Sequence, residues 1–343
     1  MREEGGPVRV VMHPDPARAG TNPFVPDLVA SLPSWCEVSP YSWWRATTGR
    51  YDVLHVHWPE YLLLARRRPR TVGKAVLGLT AAAWARARGR SVVWTVHNAE
   101  PHAGHDALSR TVLRVWARLA DRHVHLSRAG AAAAGPARAA VTVIEHADYS
   151  SSTGVRRAHD GPRRGLLLFG RILPYKGVEE LLDAYARLRS RAQGAVPRLT
   201  ILGDAPDPDY RAEVERRVED VEGVTLRIGH VDDVELHAAI RTAAAVVAPY
   251  RRIGSSGVVL LALTLGTPVI ARASSSMAEL RDEVGEQWLR LFDDTTDPDA
   301  LVAALSTAED EVPAGLPDLS RRAPRSVGRR YGDLYRSTVR GAR

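Results

Sequence analysis

Short apolar runs alternate with longer amphipathic segments along most of the chain. In the first half, residues 9–12, 52–57 and 91–97 have the length and composition of strands, and residues 71–88 and 108–120 have the periodicity of helices. Strands that alternate with helices are typical of a parallel sheet covered on both faces. The first half is therefore predicted to form a Rossmann-like α/β domain.

The same alternation begins again after residues 150–164, which are rich in glycine, serine and arginine and predict a linker. Beyond the linker, strands are expected at 165–169, 198–202, 224–228, 246–248 and 288–292, and helices at 178–192, 208–221, 232–242, 258–265 and 298–308. The predicted units are residues 1–155, residues 156–322, and a C-terminal helix within residues 323–343.

The C-terminal helix is predicted to pack on the first domain. Over residues 323–340, helical spacing places Tyr331, Leu334, Tyr335 and Val339 on one stripe. A helix with one apolar stripe buries it against a protein core. We therefore expect this helix to cross back from the second domain to the first.

A wholly apolar helix follows a Gly/Ser loop within residues 249–271. Residues 254–257, Gly-Ser-Ser-Gly, supply hydroxyls suited to a helix N-cap, and residues 258–265 are apolar on every side, which predicts a buried helix. Free N–H groups and the helix dipole at such an N-terminus suit an anion. An ordinary cap on a core helix explains the same residues, so both interpretations stay open at this point.

Composition narrows the class of protein. Hydrophobic residues make up 45% of the chain and charged residues 25%, as in soluble globular proteins. The single cysteine, Cys36, excludes a disulfide framework and a cysteine-based metal site. No apolar run has the length of a membrane span, and the N-terminus lacks the apolar core of a signal peptide, so we expect a cytoplasmic protein.

The charge pattern favours no nucleic-acid partner. The formal net charge is +7, but the 47 basic residues include only Lys74 and Lys176, which leaves 47 − 2 = 45 arginines scattered among acids. No nucleic-acid-binding motif accompanies them. In such a chain a lysine stands out, because an ammonium and a guanidinium are not equivalent donors.

Motifs of the second half occur in the order and spacing of a known family. The sequences G-R-I-L-P-Y-K-G at 170–177, G-D at 203–204 and P-Y…S-S-G-V-V-L-L-A-L-T-L-G-T-P-V-I at 249–270 resemble the C-terminal half of the GT-B glycosyltransferases of family 4. In the first half, D-V-L-H-V-H-W at 52–58 and T-V-H-N-A-E-P-H at 95–102 look like strand ends of related bacterial exopolysaccharide-type transferases.

The resemblance implies an architecture and an activity. Two Rossmann-like domains face each other across a cleft, the C-terminal domain holds a sugar nucleotide, and the N-terminal domain holds the acceptor. No metal and no other cofactor are required. The implied reaction moves a sugar from a nucleoside diphosphate donor, expected to be a UDP-sugar, to a hydroxyl of a polysaccharide, a lipid-linked glycan or a secondary metabolite.

The donor site is predicted from the motifs of the second half. Arg171 and Lys176 lie five positions apart in one loop and would clamp the charge that grows on the β-phosphate, and the rarity of lysine favours this over a solvated basic loop. Hydroxyl and N–H donors are expected from Ser255, Ser256 and Gly257. Nucleotide or sugar contacts are assigned to Gly203, Asp204, His230 and Tyr250, although a turn, an exposed loop or side-chain packing explains each of these as well.

The sequence departs from family 4 at two positions. Typical members carry two glutamates eight positions apart, and alignment on Gly266-Thr267-Pro268 places Ile253 and Leu261 there. The ribose and the sugar must then be held by other groups. Glu279 lies beyond the next strand and is interpreted as a helix residue rather than a substitute.

Strand ends of the first half carry the candidate catalytic groups. His13, His57 and His97 each end a predicted strand, and ligands of parallel sheets sit beyond the carboxyl ends of the strands. His97 is the first candidate, as a general base if the reaction inverts or as a ligand of the donor sugar if it retains. Glu100 is the second catalytic candidate. Acceptor binding is predicted for Gly20, Thr21, His57 and Glu60, and structural roles for His55, His123 and His125.

Two other functions stay open. One is a sugar-nucleotide epimerase or hydrolase on the same scaffold, and the other is a non-catalytic subunit that binds a sugar nucleotide, which the missing glutamates suggest. The retained phosphate loop favours catalysis. Residues 62–70 and the helix around Trp84 combine arginines with apolar side chains that could touch an anionic membrane, so peripheral attachment at the inner membrane surface is an alternative to a fully cytoplasmic protein.

Overall fold

A computed structural model gives the fold and describes residues 6–17, 23–65, 68–97, 107–134, 139–154, 161–251, 256–295, 297 and 299–341. The strands are β1 (Val8–His13), β2 (Cys36–Pro40), β3 (Val53–Val56), β4 (Ser91–Val96), β5 (Arg122–His125), β6 (Ala140–Val143), β7 (Leu166–Phe169), β8 (Leu199–Gly203), β9 (Val224–Ile228), β10 (Ala245–Ala248), β11 (Val269–Arg272) and β12 (Leu289–Phe292). The helices are α1 (Phe24–Ser31), α2 (Trp43–Thr48), α3 (Pro59–Leu63), α4 (Arg68–Ala87), α5 (Ala107–Leu119), α6 (Arg128–Ala133), α7 (Ser150–Thr153), α8 (Val178–Arg191), α9 (Pro208–Glu219), α10 (Asp233–Thr242), α11 (Gly257–Thr264), α12 (Ser275–Val284), α13 (Ala300–Ser306) and α14 (Pro324–Gly341). Short 3-10 turns lie at Pro174–Lys176 and Ser320–Arg322.

The chain divides into two compact units, the first made of residues 1–147 and 321–343 and the second of residues 148–320. Each contains a six-stranded sheet, in the order β2-β1-β3-β4-β5-β6 in the first unit and β12-β11-β10-β7-β8-β9 in the second. All of these strand pairings are parallel. The predicted α/β fold class with two Rossmann-like domains is confirmed.

The parallel sheets follow from strands that are apolar on both faces. Every residue of β3, β7 and β10 is buried, as a sheet covered by helices on both sides requires. Because neighbouring strands run in the same direction, the loops after β7, β8, β9 and β10 meet at one edge of the second sheet. The loops after β1, β3, β4 and β5 meet in the same way at one edge of the first. These carboxyl edges contain most of the candidate site residues.

Helix α14 contributes its apolar stripe to the core of the first unit. Tyr331, Leu334 and Tyr335 are buried there, which is the packing that the stripe predicts. The two tyrosines also complete a buried hydrogen-bond network. His55 Nδ1 lies 2.7 Å from the Tyr335 hydroxyl and its Nε2 2.8 Å from Thr95 Oγ1, which is 3.2 Å from the Tyr331 hydroxyl. The structural role predicted for His55 is therefore explained by partners on both ring nitrogens.

Several short elements are absent from the sequence predictions. Strand β2 lies at the edge of its sheet and ends in Pro40, so it lacks the apolar run of a central strand. Helices α2 and α3 have six and five residues, too few for a periodic pattern. The segment predicted to be a linker begins with the four-residue helix α7.

Candidate functional site

A basic loop follows β7 at the carboxyl edge of the second sheet. Arg171 is exposed, and Lys176 ends the 3-10 turn that follows it. The chain then turns at Gly177, which has a φ of 69° and a ψ of 36°. A Cβ at Gly177 would lie 2.4 Å from the carbonyl oxygen of Pro249, so only glycine allows this approach to the end of β10.

Lys176 is buried although it carries an ammonium group. Its Nζ lies 4.8 Å from the ring centroid of Tyr250. A Cβ built on Gly170 would be 3.3 Å from this Nζ and 3.4 Å from Val258 Cγ2, which places the ammonium near the first turn of α11. Burial, with a smaller contribution from Arg171, lowers the pKa of Lys176 to about 8.

Arg171 and Lys176 have no carboxylate partner among the described residues, whereas a neighbouring cation does. Arg251 follows β10 at the same edge and pairs with Glu180. Charges that are withdrawn from water are ordinarily paired. Two cations without a counter-ion, one of them buried, are therefore typical of a site that receives an anion.

Helix α11 begins with the cap that the sequence predicts. The Ser256 side chain accepts a hydrogen bond from the Val259 N–H at 3.4 Å. A Cβ at Gly257 would lie 2.6 Å from the Tyr149 hydroxyl, so the first turn is closely packed on one side. The first N–H groups of a helix have no intrahelical acceptor, and together with the dipole they favour a negative charge at this end.

Gly203 is required by a close approach of two strand ends. Its φ is 151°, and a Cβ would lie 2.0 Å from the carbonyl oxygen of Gly170. The Asp204 carbonyl accepts a hydrogen bond from the Ile172 N–H at 2.8 Å, while the Asp204 side chain is exposed. The Gly-Asp pair therefore holds the basic loop in place, which is the turn role that the sequence left open beside a donor contact.

The other two predicted nucleotide or sugar residues differ in their surroundings. Tyr250 is buried beneath the Lys176 ammonium and packs edge-on against Tyr175, with ring centroids 6.3 Å apart. Its hydroxyl has no hydrogen-bond partner within the described part of the chain. His230 is an exposed residue that follows β9. Of these two, Tyr250 is the one in contact with the basic loop.

Histidine and aromatic rings meet at the carboxyl edge of the first sheet. His57 Nδ1 lies 3.2 Å from His97 Nε2, so these two predicted site residues are in contact. Trp58 stacks on His97 with ring centroids 4.1 Å apart and planes inclined by 20°. Phe24 packs edge-on against His97 and against His146, at 4.8 and 4.5 Å. This edge is aromatic, in contrast to the cationic edge of the second sheet.

The two histidines in contact are neutral near pH 7, and their tautomers are coupled. Burial, reinforced by neighbouring histidines, lowers the pKa of both His57 and His97 well below 6.5. His57 Nε2 is buried without a partner among the described residues. Because a buried orphan N–H is rarer than an unused acceptor, we assign the proton of His57 to Nδ1, which then donates to His97 Nε2. His97 consequently carries its own proton on Nδ1.

Of the remaining candidates, Glu60 is described by the structure and five others are not. Glu60 lies in the first turn of α3, and burial raises its pKa. Five residues named from the sequence lie outside the described residues: Gly20, Thr21 and Glu100 of the first half, and Ile253 and Ser255 of the second. His123, predicted to be structural, has its Nε2 2.9 Å from the Ala117 carbonyl oxygen.

Known proteins resemble this chain over nearly its whole length. Residues 163–310 match the family described as "Glycosyl transferases group 1". The chain is 32% identical over 332 residues to the GDP-mannose:glycolipid 4-beta-D-mannosyltransferase of Xanthomonas campestris pv. campestris, and the match covers 96% of this chain and 92% of that relative. The chain belongs to the group 1 glycosyltransferases.

Solved structures confirm the GT-B fold of this glycosyltransferase. Sucrose-phosphate synthase from Thermosynechococcus elongatus matches with a TM-score of 0.61 at 18% identity, covering 98% of this chain and 100% of that one. Anabaena HepE in complex with UDP and glucose matches with a TM-score of 0.58 at 17% identity, covering 97% of each chain. At this level of identity the likeness concerns the fold.

Within the family, this glycosyltransferase has an apolar residue where a second acid was expected. Leu261 lies in α11, half-buried, and packs against the apolar core of the second unit. Glu279 lies within α12, as predicted. Position 261 therefore serves packing, and the polar groups described at this edge come from the basic loop and the start of α11.

Phe24, His146 and Tyr149 contribute to these two edges without having been predicted. His146 follows β6 closely, so the rule that found His57 and His97 at strand ends also covers it. Tyr149 lies just before the predicted linker, and Phe24 begins α1. For these two aromatic residues no local pattern indicates the partner, because each contact joins distant parts of the chain.

Replacing Gly203 by alanine is expected to destabilise the second unit more than the equivalent change at Gly229. At Gly203 a Cβ meets the Gly170 carbonyl and the backbone is strained, so we expect a loss of about 3 kcal/mol or more. At Gly229 the φ of 133° gives comparable strain, but nothing lies within 4 Å, so about 1–2 kcal/mol is expected. Chemical denaturation measures both, and equal losses would contradict the close approach.

Nitrogen-15 spectra of the histidines test the coupled tautomers. We expect His57 and His97 to remain neutral and protonated on Nδ1 between about pH 6 and pH 8, because burial holds both pKa values below that range. His57→Asn places an amide donor near the position of Nδ1 and should preserve the His97 tautomer, whereas His57→Leu should release it. A wild-type His97 that titrates near pH 6.5, or that carries its proton on Nε2, would refute the assignment.

Proposed function

We propose that this glycosyltransferase moves a sugar from a nucleoside diphosphate donor to a hydroxyl acceptor, and that its second unit holds the donor. The observation that carries the proposal is the pair Arg171 and Lys176, cations without a carboxylate partner in the described chain, with Lys176 near the first turn of α11. A diphosphate would supply the missing negative charge to these cations and to the helix N-terminus.

The proposed reaction exchanges one bond at the anomeric carbon. The acceptor oxygen bonds to this carbon, the bond between the carbon and the β-phosphate oxygen breaks, and the diphosphate leaves with the electron pair. The acceptor hydroxyl gives up its proton to a general base, for which Glu100 is the candidate. Arg171 and Lys176 stabilise the charge that grows on the leaving phosphate, and Ser255, Ser256 and the first N–H groups of α11 add donors. Because these groups balance the charge of the leaving group, the proposal includes no metal ion.

Guanosine is the base that we propose for the donor. The Xanthomonas relative, which matches this chain almost end to end, is named for GDP-mannose. The expectation of a UDP-sugar came from a broader resemblance, and the UDP-bound structures are too distant in sequence to indicate the base. GDP-mannose is therefore the first donor to test, and UDP-glucose is the comparison.

A glycolipid is the proposed acceptor, again because the Xanthomonas relative is named for one. Trp58 and the histidines beside it offer flat, neutral surfaces of the kind that pack on sugar rings. Acceptor contacts are proposed for Gly20, Thr21, His57 and Glu60. His97, protonated on Nδ1, suits a hydrogen bond to a sugar oxygen better than proton abstraction, which leaves Glu100 as the candidate base.

The decisive experiment is nucleotide release across a panel of donors, with short-chain glycolipid acceptors and with or without a chelator. We expect GDP release from GDP-mannose that requires an acceptor and is insensitive to the chelator. Lys176→Met and Arg171→Gln should each lower turnover by about a hundredfold, because each removes charge from the leaving group. Arg198→Gln, a change at another exposed arginine, is the control and should leave turnover unchanged.

The alternatives give different results in the same assay. Release of UDP from a UDP-sugar would replace guanosine and keep the rest of the proposal. Conversion of the donor without an acceptor would favour an epimerase or hydrolase. The absence of turnover with every donor, together with no thermal stabilisation by GDP or UDP, would contradict a sugar-nucleotide site.

Binding of the product GDP should weaken as the pH rises through about 8. The Lys176 ammonium is charged below its pKa of about 8 and neutral above it, and only the charged form attracts a diphosphate. Between pH 7 and pH 9 we therefore expect a roughly tenfold increase in Kd. Titration calorimetry measures it, and Lys176→Met is the control, since any ionisation of the nucleotide itself persists in that variant. An identical pH dependence in both proteins would refute the role of Lys176.

A further inference from the structure

Helix α4 of the first unit has its large apolar side chains on the outside. Val72, Val76, Leu77 and Trp84 are between 43% and 59% exposed. Their spacing of four, one and seven residues places them on one side of a helix about 30 Å long, and we call this outward stripe the α4 face. Exposed Gly73, Ala83 and Ala87 continue this stripe. A surface helix of a soluble protein ordinarily presents polar side chains on this side.

The inward side of the same helix is made mostly of small residues. Ala75, Gly78, Ala82 and Ala85 are buried, and a Cβ at Gly78 would lie 2.3 Å from Leu63 Cδ2 of α3. Small side chains allow α4 to lie close to the rest of the unit. Among the larger apolar side chains of this helix, Leu79 packs against the core of the first unit, whereas the four of the α4 face stay exposed.

Apolar exposure is concentrated in this region of the molecule. Six of the nine large hydrophobic side chains that are exposed in the described chain lie in α2, α3 or α4. Trp44 of α2 is the most exposed aromatic residue among them, at 76%, and Tyr61 of α3 is also exposed. The helices are tied together, because Trp84 Nε1 donates to the Thr47 carbonyl at 3.0 Å and Lys74 Nζ donates to the Tyr61 carbonyl at 2.8 Å.

The charge of the region is strongly positive. Residues 41–90 contain ten basic residues and two acidic ones, whereas the whole chain has 47 and 40, so the arginine bias of the chain does not account for the imbalance. Helix α4 itself contains no acid. Arg70 near its beginning and Arg88 just after its end are exposed and have no carboxylate partner among the described residues, and Arg88 lies over the Trp84 ring at 4.4 Å.

We propose that the α4 face docks on the surface of an anionic lipid bilayer. Apolar side chains with tryptophan enter the boundary between headgroups and acyl chains, and arginines beside them reach the phosphates. No helix among the described residues is long and apolar enough to cross a membrane, so this contact lies along the surface. A second protein surface would have to supply both apolar area and acids, whereas an anionic bilayer combines them everywhere.

Sedimentation with vesicles tests this proposal on the full chain without any substrate. Wild type should bind vesicles of phosphatidylglycerol mixed with phosphatidylcholine and should bind phosphatidylcholine vesicles much more weakly. Val72→Ser/Val76→Ser should weaken binding at least tenfold, because two exposed side chains lose their apolar contact with lipid. Val141→Ser/Val234→Ser removes two exposed valines elsewhere and should bind like wild type.

Charge is tested separately. Arg70→Gln/Arg88→Gln should weaken binding to the anionic vesicles by roughly tenfold, and added salt should weaken wild-type binding in the same direction. Arg164→Gln/Arg198→Gln, at exposed arginines of the second unit, is the matched control and should not. Equal binding by Val72→Ser/Val76→Ser and wild type, or no binding by wild type, would overturn the proposal.

Two further readouts separate this inference from its alternatives. Self-association of wild type in ultracentrifugation that disappears in Val72→Ser/Val76→Ser would assign the face to a second copy and overturn lipid docking. Turnover on a freely soluble acceptor should be the same in wild type and Val72→Ser/Val76→Ser. Vesicle binding in a protein that turns over no donor would leave the inference standing and remove the proposed function, so the two can fail independently.

Discussion

The buried ammonium of Lys176 is the constraint on which the carboxyl edge of the second sheet depends. A charge taken out of water without a partner costs free energy, and here that cost appears as a pKa lowered to about 8. Gly170 has no side chain and so leaves room for Lys176 Nζ. The ring face of Tyr250 lies against the ammonium but, unlike a carboxylate, does not neutralise its charge. An apolar side chain would serve stability better at this place. In the function that we propose, the diphosphate of the donor would offset this penalty.

The carboxyl edge of the first sheet carries neutral and aromatic side chains instead of cations. His57 and His97 are held neutral by burial and joined by a hydrogen bond, and Trp58 covers one face of His97. Neutral donors and flat rings suit hydroxyl-rich sugars, whereas unpaired cations suit a diphosphate. In the function that we propose, the first edge would recognise neutral sugar groups and the second would stabilise charge on the leaving phosphate.

The sequence was informative wherever a property is carried by neighbouring positions. Apolar runs located the central strands, the stripe of α14 indicated its packing, and the rarity of lysine drew attention to Lys176. Contacts between distant positions could not be foreseen in the same way. The need for glycine at position 203 arises from the Gly170 carbonyl, and the tautomer of His97 from His57, forty residues earlier. Both properties depend on how neighbouring strands align, and the spacing of residues along the sequence does not predict this alignment.

Helices α4 and α11 differ in how much of each helix is buried. Both are apolar on more than one side, which predicts burial, and α11 is indeed largely buried. In α11, large side chains such as Leu260 and Leu263 fill the core, whereas in α4 the buried positions are alanine, glycine and Thr71, and most of the large apolar residues point outward. The two helices therefore differ in the side that carries the large side chains. Because the described part of the chain does not cover the large apolar residues of α4, we infer that they serve a contact with an apolar environment such as the lipid surface proposed above.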